Sequence, residues 1–356
     1  RFSPIKQLLE ENVDSAIVLL RYEFNFSENS DVELAEFYSL MGEAQGLINE
    51  LDSSNFYYLK TIDLLGNSGG TATLRLKSKK AIANNYYYQG YLKKSDSLFQ
   101  VCLKEVKLTT DYKLQSEILL DAGWLAREQG RHADALDLYF KAENIGELHE
   151  DKNILADAYT KIAVVYHVKN ELDIAQEFYD KSLKLLKEIG AQDRIARLYN
   201  NYGLLYDMRG DYTSAISYFE RSIEICDSMK NERGVAISNE NLGLICFNNL
   251  NNYQLALERF NTSLTYWRKS KDIYGQAQTL VYMIYVFNAQ ERYQTALDSS
   301  YRSLEFCQIS GAQDVERDLY KEMSIAYEGL GKSNLALLYF KKHITLRDSL
   351  EAHNSS

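Results

Sequence analysis

Apolar and small side chains recur along this chain with the period of an α-helix, and short polar turns interrupt them. Within residues 156–183, Ile162, Ala163 and Tyr166 share one helical face, because residues three and four apart lie on the same side. Asn170 then marks a turn, and a second stretch with the same period follows it. The pattern therefore predicts two helices joined by a tight turn.

This helix–turn–helix pattern returns in register along most of the chain. In the first helix a small residue, replaced by Ile284 in one copy, recurs every 40 or 41 residues. It is found at Gly42, Ala83, Gly123, Ala163, Gly203, Gly243 and Ser324. The second helix carries a small residue followed four positions later by an aromatic ring, with Ser300 as the exception. Small residues let two helices approach, and the rings fill the space beside them.

The turn within each copy favours a left-handed backbone. Gly90, Gly130, Gly210 and Gly331 occupy the position that Asn170 holds in its own copy. One helix pair cannot bury its own apolar face, whereas stacked pairs share a continuous core. The sequence therefore predicts an all-α solenoid.

Composition narrows the function classes. Hydrophobic residues make up 46% of the 356 residues, which is enough for a folded core and excludes general disorder. The net charge of -10 disfavours nucleic-acid binding, which needs clustered Lys and Arg. No apolar run approaches the ~18 residues that suggest a membrane helix, so we expect no membrane span in this sequence.

Residues 201–222 carry the pattern most fully, as Asn-Tyr-Gly-Leu-Leu-Tyr, then Gly210-Asp211-Tyr212, Ala215, Tyr218-Phe219 and Ser222. This pattern resembles the tetratricopeptide repeat (TPR), and the resemblance covers residues 31–350. It implies a right-handed superhelix of about eight and a half repeats. The expected division is a degenerate leading repeat at 1–30, the solenoid at 31–350 and a tail at 351–356. The 40-residue period resembles the long class found in kinesin light chains, cell-polarity adaptors and bacterial peptide-sensing regulators.

The closing Asp348-Ser349-Leu350 resembles the end of the sensory region in membrane-anchored bacterial TPR regulators or histidine kinases. That resemblance implies a ligand-sensing region, periplasmic, whose output domain lies outside this sequence. The alternative is a cytosolic TPR adaptor or peptide-pheromone sensor without a membrane anchor. A TPR-based phosphatase directed at a response regulator is the third hypothesis.

The sequence offers little for catalysis or cofactor binding. The four cysteines form no CxxC pair, and the five histidines have no metal-ligand spacing. We find no nucleophile–base motif and no phosphate-binding loop. We therefore expect no enzyme activity, no metal and no cofactor.

The TPR resemblance implies that first helices line a concave groove that binds a peptide or protein segment. The inward positions hold amide, aromatic and charged side chains, which suit backbone, apolar and carboxylate groups of a ligand. The candidate groove residues are Lys80, Asn84, Tyr87, Trp124, Arg127, His167, Arg197, Asn200, Asp207, Phe247, Gln278, Tyr285 and Asn288. Lys80 and Asn84 also match the start of the chaperone-type carboxylate clamp, but Asp121 stands where that clamp needs Asn. For the aromatic residues, packing between adjacent helices is the competing interpretation.

Overall fold

The computed structural model describes residues 5, 7–9, 12–23, 30–66 and 72–355. Every regular element among these residues is a helix, and all are α-helices except one 3₁₀ turn. The prediction of an all-α fold is confirmed. The chain forms two compact units, residues 1–169 and 170–356.

The first unit alternates helices with short joints. Its helices are α1 (Val13–Glu23), α2 (Asp31–Leu47), α3 (Leu51–Leu65), α4 (Ala72–Tyr88), α5 (Leu92–Glu105), α6 (Tyr112–Glu128), α7 (His132–Leu148) and α8 (Lys152–Val168). The 3₁₀ turn, Val106–Leu108, directly follows α5.

The second unit continues the same alternation. Its helices are α9 (Leu172–Glu188), α10 (Gln192–Met208), α11 (Tyr212–Ser228), α12 (Glu232–Asn248), α13 (Tyr253–Lys269), α14 (Ile273–Ala289), α15 (Tyr293–Ser310), α16 (Gln313–Gly329) and α17 (Ser333–Ser355). Even-numbered helices are the first helices of the repeats, and odd-numbered helices from α3 onward are the second. The division into residues 1–30, 31–350 and 351–356 stays a prediction.

The repeated small residue packs against the repeated aromatic ring, as the sequence predicts. A β-carbon placed on Gly203 of α10 would lie 2.5 Å from Cε1 of Phe219 on α11. The same approach brings Gly243 of α12 against Phe260 of α13. Both rings are fully buried. Only hydrogen fits at these glycines, so the ring sets how closely the helix pair approaches.

A hydrogen bond recurs at another equivalent position of the repeats. Ser222 Oγ donates to the Ala196 carbonyl at 2.9 Å, and Ser303 Oγ donates to the Ala277 carbonyl at 3.0 Å. Each bond joins a second helix to the first helix 26 residues earlier. These bonds satisfy buried hydroxyl groups and fix the sliding position of one helix on the other.

The turns adopt the left-handed backbone that the glycines predict. Gly130 and Gly210 have φ of 74° and 76°, and Asn170 has 61°. Between successive repeats the same conformation falls on Gly190 and Gly311 and also on larger residues, including Glu150 and Lys230, at which the sequence does not signal it.

First helices of successive repeats touch one another in both units. In the first unit α4 contacts α6, and α6 contacts α8. In the second unit the same holds for α10 with α12, α12 with α14, and α14 with α16. The first helices therefore form an inner layer in each unit. We call the side of this layer that faces away from the second helices the inner face. Among the described residues no helix has the length and apolarity needed to cross a membrane.

Candidate functional site

On the inner face of the first unit, the predicted polar residues bond to carboxylates of the next repeat. Lys80 Nζ on α4 lies 2.7 Å from Glu117 Oε2 and 3.6 Å from Asp121 Oδ2, both on α6. Asn84 Nδ2 donates to the same Asp121 oxygen at 3.1 Å. Burial alone lowers the pKa of Lys80, but the carboxylates of Asp121 and Glu117 outweigh it, and the pKa is raised. Lys80 is therefore a charged side chain already neutralised within the protein.

The aromatic residues of this face pack across the same two helices. The ring centroids of Tyr87 on α4 and Trp124 on α6 lie 4.1 Å apart, with an interplanar angle of 56°. Tyr88 lies 6.2 Å from Trp124. Arg127, one turn further along α6, forms an ion pair with its neighbour Glu128. The two half-buried rings thus form an apolar wall whose outer faces stay accessible to a ligand.

His167 lies near the end of α8. The side chain is buried, and burial lowers the pKa of its imidazole. The imidazole is therefore neutral at physiological pH and able to act as a donor and an acceptor at once.

In the second unit, α10 presents the predicted residues Arg197, Asn200 and Asp207. Arg197 is exposed and pairs with Asp193 of its own helix at 2.8 Å. Asn200 Oδ1 accepts from Asn241 Nδ2 of α12 at 2.9 Å. Among the described residues no hydrogen bond engages Asn200 Nδ2, which leaves a donor on the inner face. Burial raises the pKa of the Asp207 carboxyl.

Further along the inner face, α14 brings Gln278, Tyr285 and Asn288 to one side. Tyr282, one turn after Gln278, has its ring centroid 6.1 Å from that of Tyr285. Asn288 Nδ2 donates to Glu322 Oε2 of α16 at 2.9 Å. Asn288 is buried, and its Oδ1 has no hydrogen-bond partner in the described part of the chain. An unsatisfied buried acceptor is costly to the folded state, and this oxygen is enclosed by the protein.

One residue of the inner layer was not singled out by the sequence. The Glu240 carboxylate on α12 accepts hydrogen bonds from Trp267 Nε1 at 2.8 Å, from Ser263 Oγ at 3.2 Å and from the Thr279 hydroxyl. Burial raises its pKa, and these donors oppose the rise. The sequence signals this residue only as a Glu at an inward position, and such a Glu is equally typical of a solvated helix face. Phe247, on the same helix, lies 5.9 Å from Tyr253 between ring centroids.

The protein comparisons agree with this architecture. A family model described as "Tetratricopeptide repeat" matches residues 154–228. Response regulator aspartate phosphatase I of Bacillus subtilis (strain 168) is 27% identical over 165 residues, which are 46% of this chain. The matched part spans 41% of that relative's length.

Two solved structures share the fold over nearly the whole chain. A Rap protein complexed with Competence and Sporulation Factor has a TM-score of 0.65 at 14% identity, covering 99% of this chain and 98% of its own. The Rap conjugation gene regulator of the plasmid pLS20, in complex with the Phr* peptide, has a TM-score of 0.57 at 15% identity, covering 98% of this chain and 93% of its own. The predicted tetratricopeptide-repeat fold is confirmed.

Proposed function

We propose that this chain, a tetratricopeptide-repeat protein, binds a short peptide on the inner faces of its first helices and acts as a peptide-sensing regulator. The observation that carries the proposal is the amide donor Asn200 Nδ2 in the second unit, which no hydrogen bond of the described residues engages. A peptide backbone offers one acceptor and one donor per residue. The Asn200 amide thus meets a backbone carbonyl of the peptide.

Aromatic walls supply the apolar part of the proposed recognition. In the second unit Tyr285 is half-buried and keeps part of its ring accessible, and in the first unit Tyr87 and Trp124 form a wall of their own. Large rings with accessible faces anchor side chains of a partner. Ligand sites typically combine apolar walls with a small number of polar groups.

Charge contributes less to this recognition than the sequence suggests. Lys80 faces two carboxylates of its own unit, and Arg197 pairs with Asp193. A ligand carboxylate would have to displace these partners, so we assign the polar recognition to the amides rather than to the cations.

The solved complexes with a factor and with a peptide support the anchor-free alternative better than the membrane-anchored sensor. The resemblance to membrane-anchored regulators is not confirmed. We therefore propose a cytoplasmic peptide sensor. Because the sequence carries no basic cluster for nucleic acid, we propose that the regulatory output of this chain acts on a protein partner.

A phosphatase acting on a response regulator is the second candidate, because the Bacillus subtilis relative carries that name. The cysteines offer it no thiolate nucleophile, since all four are buried and burial raises the pKa of Cys102 to about 12. Release of inorganic phosphate from a phosphorylated receiver domain measures this activity. We expect the rate with this chain to equal spontaneous hydrolysis, and a clear acceleration would favour the phosphatase.

The binding proposal is tested with a synthetic library of short peptides selected against the full chain. Fluorescence anisotropy then measures the affinity of the best peptide for wild type, Asn200→Ala and Asn261→Ala. Asn261 is the matched control, because it is exposed on the second helix α13 and its side-chain amide donates to the Leu257 carbonyl of its own helix at 2.8 Å. We expect Asn200→Ala to weaken binding up to about tenfold, the value of one neutral hydrogen bond. Unchanged affinity in Asn200→Ala with loss in Asn261→Ala, or no selected peptide, would refute the proposal.

A further inference from the structure

A cavity lies on the opposite side of the first unit from the inner face. Helix α5 covers 14 residues and passes into the 3₁₀ turn Val106–Leu108, whereas α7 continues for 17 residues. Gln115 Nε2 on α6 donates to the Thr109 carbonyl at 2.6 Å and holds the segment after this turn in place. A cavity of about 360 Å³ lies between α5, the turn, α6 and α7.

The cavity combines an apolar floor with a cationic rim. The floor consists of Leu103, Val106, Leu119, Leu138 and Ile145. Three lysines stand at the rim, Lys104, Lys107 and Lys141. Ligand sites of proteins have this size and this balance of apolar walls with a few charged groups.

The positive rim contrasts with the acidic chain around it. The chain carries 50 Asp and Glu against 40 Lys and Arg, yet none of the described residues that line the cavity is a carboxylate. Glu105 is adjacent in sequence, but its carboxylate is engaged by Lys79 of α4 at 2.6 Å. Lys141 pairs with Asp137 one turn earlier. For Lys104 and Lys107, both exposed, the described residues supply no ion pair, so their charge is available to a ligand.

We propose that this cavity binds a small amphipathic carboxylate, with its hydrocarbon chain on the apolar floor and its carboxylate between Lys104 and Lys107. Burying the chain removes apolar surface from water, which drives binding. The ammonium groups give charge-assisted hydrogen bonds to the carboxylate. The site lies between second helices and the back of α6, so it is independent of the peptide-binding inner face.

The test is isothermal titration calorimetry of the full chain with octanoate as the probe and octanol as its uncharged counterpart. We expect one octanoate per chain and weaker binding of octanol. Lys104→Ala combined with Lys107→Ala should weaken octanoate binding about two- to tenfold, since water screens ion pairs at exposed positions. Leu138→Trp, which fills the floor, should abolish binding while circular dichroism shows an unchanged helical spectrum.

The matched control combines Lys93→Ala with Lys113→Ala. These exposed lysines lie in the same unit outside the cavity lining, and their loss changes the net charge equally. The control should bind octanoate as wild type does. Absence of octanoate binding, equal binding of octanol, or an equal loss in both lysine double variants would overturn the proposal.

Discussion

Replacing Gly203 with alanine tests whether the small residue and the aromatic ring set the spacing of each helix pair. The new β-carbon would lie 2.5, 2.6 and 2.7 Å from three ring carbons of Phe219. Non-bonded carbons prefer separations of about 3.5–4.0 Å, so the overlap is about 1 Å. The ring is fully buried and close-packed, which prevents it from moving aside.

Two effects of this substitution oppose each other. Alanine is a better helix former than glycine by about 1 kcal/mol. Overpacking a well-packed core costs about 1–3 kcal/mol. Because three ring carbons clash at once, we expect the overpacking to win, with a net loss of about 1–2 kcal/mol in the free energy of unfolding.

Thermal unfolding followed by circular dichroism measures this loss. For a unit of this size the midpoint should fall by about 2–8 °C. Gly46→Ala is the control, because its β-carbon would meet only Ser54 Oγ, at 3.3 Å. That variant should be as stable as wild type or more stable by up to about 1 kcal/mol, because no severe clash offsets the higher helix propensity of alanine.

A double-mutant cycle gives the decisive comparison. Phe219→Leu removes the clashing ring atoms, so it should offset part of the cost of Gly203→Ala. We expect a coupling free energy of about 0.5–3 kcal/mol between the two positions. If the two costs simply add, or if Gly203→Ala is as stable as wild type, the ring does not set the helix spacing.

Two further substitutions give directional results. Glu240→Gln keeps an acceptor oxygen for its donors but removes a buried charge. The folded-state pKa of Glu240 is raised above its ordinary 4.5. The wild type therefore loses stability as pH rises from 4.5 to this raised pKa. Urea denaturation should show that the free energy of unfolding of Glu240→Gln gains on that of wild type as pH rises above 4.5. A gain that shrinks with pH would contradict the burial argument. Gly210→Ala places a side chain at φ 76° with nothing within 4 Å, so backbone strain alone should lower thermal stability by about 1–2 kcal/mol. Gly210→Asn should lose less, and equal losses would argue against a conformational cause.

The sequence by itself determines the repeat and its internal packing. A helix has a local period, so small residues, rings and turn glycines such as Gly203, Phe219 and Gly210 reveal which residues face each other within a pair. The same reasoning fails at those joints between repeats that carry no glycine. Glu150 and Lys230 adopt left-handed backbone although neither side chain favours it. There the packing of one repeat on the next fixes the backbone, and local preference gives way.

Only the tertiary structure shows which polar side chains of the inner layer already have a hydrogen-bond or ion-pair partner. The sequence marks Lys80 and Asn288 as inward-facing, but their partners Glu117 and Glu322 lie 37 and 34 residues away, in the next repeat. Which side chains meet across this distance depends on the stagger between successive first helices, and that stagger comes from close packing over many contacts. For the same reason the unsatisfied oxygen of Asn288 and the cavity behind α6 are visible only once neighbouring helices are in place.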